Sequence, residues 1–365
     1  MGGGIYNYSG ALKLTNIVVS DNSSTVGGGG IYNDGTLMLN NSTVSDNSAD
    51  AGGGVYNASA RTLTMTNSTV SGNSARLHGG GIYNSSTLSL TNSTVSGNTA
   101  QSGSGGIYNG NAGALSMTNA TLAGNSSPDL RNNNPGNPQL TAELTNTIVQ
   151  SCFGAVTDNG GNLDGGSACG LTAATSVSNA TLDLGALADN GGPTLTMLPG
   201  ASSDAFGNGL LTVCAAPPVN GLDQRGFTRS TVACSSGAVE HLFALTVSVT
   251  GNGSVSEDPA GLIDDCTATT GICSGTYTVG ASVNLVATPA PGYDFDGWSG
   301  NCSGLLRETA VVMSEHRACT AQFTAQPQPY AITQPVPTLD RWVLLLLGLL
   351  ATGVAFRRLG GRKQS

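Results

Sequence analysis

The chain has 365 residues, of which 39% are hydrophobic and only 10% charged, with a formal net charge of −9. Ordinary soluble domains carry about 25% charged residues, so here the polar surface falls to Asn, Ser, Thr and Gly, the residues of turns. The acidity, without a basic stripe interleaved with aromatics, argues against nucleic acid as a partner. The periodic apolar residues argue against compositional disorder.

From its start the chain repeats itself. The block GGGIYN begins at Gly2 and returns at 28–33, as GGGVYN at 52–57, again at 79–84, and as SGGIYN at 104–109. Its tyrosines, Tyr6, Tyr32, Tyr56, Tyr83 and Tyr108, are spaced by 26, 24, 27 and 25 residues. A second block of the type LMLNNSTVSDNS follows each first one. Leu37-Met38-Leu39 alternates as a strand does, and Ile31 and Val44 supply the inward positions of neighbouring segments. β-Branched residues, glycines and Asn-Ser runs exclude helix. One unit cannot bury its own apolar face, so units must stack. Three strands in each unit of roughly 25 residues predict the rung of a parallel β-helix, with rungs roughly 4.8 Å apart. Asn16, Asn41, Asn67, Asn92 and Asn119 recur at the head of the second block. They are expected to form a ladder, each bonding the Asn above and below at a corner. Asn41-Ser42-Thr43 is also a glycosylation sequon, but a glycan at every corner would break the stack.

These repeats resemble the right-handed parallel β-helix repeats of bacterial surface proteins, of the pectin-lyase-like superfold. The resemblance implies an all-β solenoid, with regular rungs over 1–127. It leaves activity open, because that fold hosts lyases, hydrolases, adhesins and passive stalks.

Over 128–242 the repeat loosens. Motifs such as Asn159-Gly160-Gly161-Asn162, Asp189-Asn190-Gly191-Gly192-Pro193, Leu198-Pro199-Gly200 and Asp223-Gln224-Arg225-Gly226 resemble the choice-of-anchor Q domain, an end region of bacterial surface β-helices. Such a segment is expected to hide the open strand edges of the last coil. All eight cysteines lie after residue 150: Cys152, Cys169, Cys214, Cys234, Cys266, Cys273, Cys302 and Cys319. With no CxxC and an even count, they read as disulfides in an exported chain rather than as a zinc site. Pairing of sequence neighbours is the simplest connectivity, and the sequence leaves it open.

Residues 243–325 read as a compact β module, with alternation in Leu245-Thr246-Val247-Ser248-Val249 and a hairpin signal at Asn252-Gly253. The run 280–302 resembles the divergent InlB B-repeat, a spacer of surface proteins. Trp298 is expected to fill the small core rather than to stack on a sugar.

Residues 326–337 form a Pro- and Gln-rich linker. The tail over 336–365 combines Val336, Pro337, Thr338, Leu339 and Trp342 with an apolar stretch at 343–356 and the basic stop Arg357, Arg358, Arg362 and Lys363. One C-terminal hydrophobic helix is expected there, its basic end cytoplasmic and everything before it outside the inner membrane. This three-part tail resembles the IPTL-CTERM family, relatives of PEP-CTERM signals. The resemblance implies an exosortase-like sorting enzyme and the inner membrane as partners. Val336 stands where Ile is usual, and Asp340-Arg341 where Ser-Glu is commoner, which leaves a permanent single-span anchor as the alternative to cleavage. No signal peptide opens the chain, so further sequence upstream of Met1 is expected.

No catalytic, cofactor or metal residue is assigned. Asp21 and Asp46 hold equivalent positions, but Gly72 and Gly97 follow in the next units. His78, His241 and His316 stand apart, and no Ser-His-Asp or metal-ligand spacing emerges. The expectation is a non-catalytic adhesin, stalk or matrix component of the envelope, touching a polysaccharide or another surface. The alternative is a polysaccharide lyase or hydrolase whose catalytic rungs lie upstream.

Overall fold

The computed structural model describes residues 2–110, 113–133 and 142–327. Residues 1–324 form one compact unit and 325–365 a second. Among the described residues the only α-helix is the five-residue turn Leu211–Ala215.

The repeats form a parallel β-solenoid in which like residues stack on like. Ile31, Tyr32 and Asn33 pair with Val55, Tyr56 and Asn57, and those with Ile82, Tyr83 and Asn84. The first two units run through one corner as single long strands, Ile5–Thr15 and Ile31–Asn40. Later units break there into pairs such as Val55–Asn57 and Thr62–Thr66. The Thr-Val-Ser segments build an eight-stranded parallel sheet. A further short strand follows in the middle units, at Ser48–Ala51, Ser74–His78 and Thr99–Ala100. Three strands per unit were expected; the extra one is too polar to register as an apolar run, showing only a single inward alanine such as Ala75.

Ile31, Leu37, Leu39 and Val44 are all fully buried, and so are their counterparts in the next unit, Val55, Leu63, Met65 and Val70. Each such side chain contributes about 1.5–3 kcal/mol by leaving water. The glycine triplets let rungs approach. Gly28 turns at φ 64, and a Cβ on Gly29 would sit 2.4 Å from the carbonyl oxygens of Ser48 and Gly53.

After the regular units the coil tapers. Ile148–Val149, Leu163–Asp164 and Val177–Ser178 extend the eight-stranded sheet at shortened intervals. The Cys152–Cys169 disulfide staples this end. The chain then folds back along the face of the eight-stranded sheet, reaching as far as Asn67 and Thr69. The expected edge-hiding segment is therefore also a lateral cover. Thr69, Thr94 and Thr121 beneath it are buried, whereas the equivalent first strand, Val18–Ser20, leaves Val18 69% exposed.

The module pairs a four-stranded sheet with a three-stranded one. Its core includes Phe243, Leu245, Val283, Leu285, Phe323 and a buried Trp298, whose Nε1–H donates to the Leu306 carbonyl at 3.0 Å. Disulfides Cys266–Cys273 and Cys302–Cys319 tie its loops. The hydrophobic helix expected over 343–356 lies outside the described residues. Among those described, no helix is long and apolar enough to cross a membrane.

Candidate functional site

The polar interior of the solenoid is organised by two asparagine columns. In the first, Asn7 donates to Asn33, Asn33 to Asn57, Asn57 to Asn84, Asn84 to Asn109 and Asn109 to Asn132, at 2.7–2.9 Å. In the second, Asn22, Asn47, Asn73, Asn98 and Asn125 donate in turn and end on the Asp129 carboxylate. From Asn47 to Asn125, each Oδ1 in the second column also accepts the backbone N–H of the preceding asparagine, as Asn73 does from Asn47 at 3.0 Å. Full pairing removes the penalty of burying these amides.

Neither column is the ladder expected at Asn16, Asn41, Asn67, Asn92 and Asn119. Those residues turn the corner at φ between 45 and 55, a conformation asparagine tolerates. The turn swings their side chains off the stacking line, and the inward polar position passes to the next residue. Ser42, Ser68 and Ser93 hydroxyls accept N–H groups of the preceding rung there. The later corner asparagines instead hold the cover. Asn92 Nδ2 donates to the Leu222 carbonyl at 3.0 Å, and its Oδ1 accepts from Arg229 at 3.1 Å. Asn119 Nδ2 lies 3.7 Å from the sulfur of Cys214, and Asn146 grips the Leu210 backbone. One contact within the series survives, Asn146 to Asn119 at 3.4 Å.

The DQRG turn centres the cover. Gln224 donates to Thr69 and Thr194 hydroxyls at 2.9 Å and accepts from Thr94 at 2.6 Å. Asp223 pairs with Arg225 at 2.7 Å and accepts the Phe227 and Glu240 N–H groups. Arg229 is wholly buried and donates to the Leu222, Ser235 and Gly237 carbonyls, with Glu240 at 3.5 Å. Burial pulls the Arg229 pKa below its ordinary value against the opposing carboxylates of Glu240 and Asp223. Burial likewise pushes the Glu240 carboxyl up, against the pull of Arg229. Sequence reasoning placed Asp223-Gln224-Arg225-Gly226 in an edge-hiding segment and did not single out Arg229; a lone Arg in a loop carries no periodic signal of burial. The Cys214–Cys234 disulfide closes the segment, so all four disulfides join sequence neighbours.

In the twelve-stranded sheet the tyrosines form a column. Tyr32, Tyr56, Tyr83 and Tyr108 stack with centroids 4.8–5.2 Å apart and planes within 9°. Their faces cover one another, so the column offers a ligand mainly phenol edges. Open faces remain toward Tyr6 and Tyr8, which are 39% and 70% exposed. Burial raises the pKa of Tyr32, Tyr56 and Tyr108, aided by Asp34 beside Tyr32 and by neighbouring phenols, and opposed at Tyr108 by Arg131.

Charged side chains on the rungs pair across them, Arg61 with Asp34 at 2.7 Å and Arg76 with Asp50 at 2.8 Å. Asp21 and Asp46 sit at corners with φ 60 and 57. His78 stacks on Tyr108 at 4.5 Å, whereas His241 and His316 both pack edge-on against Phe243, so two histidines expected to stand apart share one aromatic cluster. Among the described residues no group of His, Cys, Asp and Glu is arranged to hold a metal ion. The sorting-motif residues Val336, Pro337, Thr338, Leu339 and Trp342, and the basic residues Arg357, Arg358, Arg362 and Lys363, lie outside the described residues.

Comparison with known proteins adds two segment matches. Residues 243–327 match the family model of the divergent InlB B-repeat domain, and residues 334–362 that of the IPTL-CTERM motif. No curated protein and no solved structure matches the chain. The chain thus joins a β-solenoid to a module similar to a surface domain, followed by a match to a C-terminal sorting signal.

Proposed function

We propose that the chain is a non-catalytic protein of the bacterial cell envelope, a β-solenoid stalk or adhesin presented through its C-terminal sorting signal. The order of the parts carries this reading: solenoid, surface-type module at 243–327, sorting motif at 334–362. A basic C-terminal end stays cytoplasmic, which directs everything before the apolar stretch outward. The partners are then an exosortase-like enzyme and the inner membrane, and the ligand a polysaccharide or another surface. The non-catalytic part of the reading is supported by the rungs, where Asp34, Arg61, Asp50 and Arg76 are spent on cross-rung pairs. In this reading the coil is right-handed and of pectin-lyase type, and 128–242 is a choice-of-anchor Q end region.

The test is surface proteolysis of intact producing cells carrying an epitope tag in the solenoid. The tag is expected to be cleaved in the full chain and protected when 334–362 are deleted. Equal cleavage of both overturns the sorting role. Release of unsaturated oligosaccharides from polysaccharide by the purified chain overturns the non-catalytic one.

A further inference from the structure

Leu305 and Leu306 are 81% and 78% exposed, the two most exposed large apolar side chains among the described residues. Their loop is firmly held. Cys302 is bonded to Cys319. The Gly304 carbonyl accepts the Trp298 backbone N–H at 2.8 Å, and the Leu306 carbonyl accepts the indole N–H of the same residue at 3.0 Å. With both carbonyls fixed on a buried tryptophan, the loop cannot roll its leucines inward. Two adjacent leucines kept in water forgo the burial that the other apolar residues of the module obtain.

Topology places this pair near the exit of the chain. The four-stranded sheet runs Ser274–Thr278, Leu242–Thr250, Arg317–Ala325, Tyr293–Gly300, and Gly304 bridges to Trp298 on the outer side of that last edge strand. The leucine edge is thus two strand spacings, about 10 Å, from the strand on which the chain leaves the module. The seventeen residues 326–342 that follow reach at most about 60 Å when extended, and then the apolar stretch 343–356 begins. In the envelope reading this tether holds the module beside the membrane at an effective concentration of order millimolar.

Size and charge choose the partner. Asn301, Ser303, Arg307 and Glu308 flank the pair, so the apolar patch is two side chains wide, far below the roughly 800 Å² per partner of a stable protein interface. A bilayer needs no matching surface and takes up apolar side chains at its headgroup boundary. Arg307 beside the pair is opposed by Glu308 and, on the edge strand, by Asp294 and Asp296. The attraction is therefore apolar rather than electrostatic.

We propose that the Leu305-Leu306 edge dips into the surface of the membrane that holds the tail, so that the module docks on the bilayer by this edge. The docking deepens the envelope reading and rests on its membrane-inserted tail.

The experiment places the full chain in vesicles of phosphatidylethanolamine and phosphatidylglycerol. An environment-sensitive fluorophore is attached at Leu305→Cys or, as a control, at Thr276→Cys, an exposed position on the opposite edge strand. Flotation with the vesicles reports the tail. Emission from position 305 is expected to shift to the blue and to be quenched by brominated lipid, and molar salt is expected to leave it unchanged. Emission from position 276 is expected to stay as in water. Leu306→Asp is expected to remove most of the shift at 305 while leaving flotation and circular dichroism unchanged. Flotation with water-like emission from 305 overturns the docking and leaves the anchor standing. Equal shifts at both positions, loss of the shift in salt, or a shift untouched by Leu306→Asp also overturn it. So does a shift that grows with the protein-to-lipid ratio, which marks a second copy as the partner. Failure to float overturns the anchor and the docking with it.

Discussion

Asn73 shows how much one amide does in this fold. Its Oδ1 accepts from both nitrogens of Asn47, and its Nδ2 donates to the Val44 carbonyl and to Asn98. Asn73→Ala strands several buried groups at once and is expected to destabilise the solenoid by about 2–4 kcal/mol, read by denaturant unfolding. Asn41, at a corner with φ 48, has a different job. Asn41→Ala is expected to cost only about 1–2 kcal/mol of left-handed strain, and Asn41→Gly close to nothing. Both asparagine types recur once per unit, so the repeat alone did not rank them; the sign of φ separates column from corner. Asp158 carries a pH dependence. Burial would raise its pKa, but hydrogen bonds led by Ala173 N–H, Asn162 and Ser176 outweigh this and hold it below 3.8. The folded value is depressed, so the stability it confers is complete above the unfolded value and fades as pH falls through the folded one. Asp158→Asn is expected to flatten the acid limb of a stability–pH curve below about pH 4.

At the scale of elements, the solenoid strands were legible because inward Ile, Leu and Val recur at fixed spacing. The cover was legible only as an irregular end. Its contacts with the sheet come from isolated residues such as Gln224 and Arg229, more than 100 positions from Thr94 and Asn92. No local pattern announces such a pairing. Arg229→Met would leave Glu240 buried opposite no cation, with the Ser235 and Gly237 carbonyls unpartnered. The expected loss is about 3–5 kcal/mol, seen as protease cleavage within 184–240 before the rungs themselves are cut. Survival of the cover at wild-type protease concentrations would show that its backbone contacts and the Cys214–Cys234 bridge suffice. The module was legible from its alternation, and Trp298 lies in its core as expected, but Asn252-Gly253 does not close the expected hairpin: Leu242–Thr250 and Gly253–Glu257 belong to different sheets, and the turn carries the chain from one to the other.

For the whole molecule, a solenoid makes only nearest-neighbour contacts, so units are exchangeable where nothing else leans on them. Excision of 28–51 joins equivalent glycine corners and removes one unit the cover does not touch. The protein is expected to keep its β circular dichroism and cooperative unfolding. Excision of 79–103 removes Asn92 and Thr94, two anchors of the cover, and is expected to free it to protease. Equal behaviour of the two excisions would refute this division. The asparagine columns take this interchangeability further. Every amide hands its proton in the same direction along the rod, and the last ones deliver it to the Ala155 carbonyl and the Asp129 carboxylate. Those terminal acceptors do not depend on how many turns come before them. The molecule is in effect an arrow whose shaft lengthens by duplication while its tip stays the same. Natural length variants are therefore expected to differ by whole turns and to keep an acceptor at the tip.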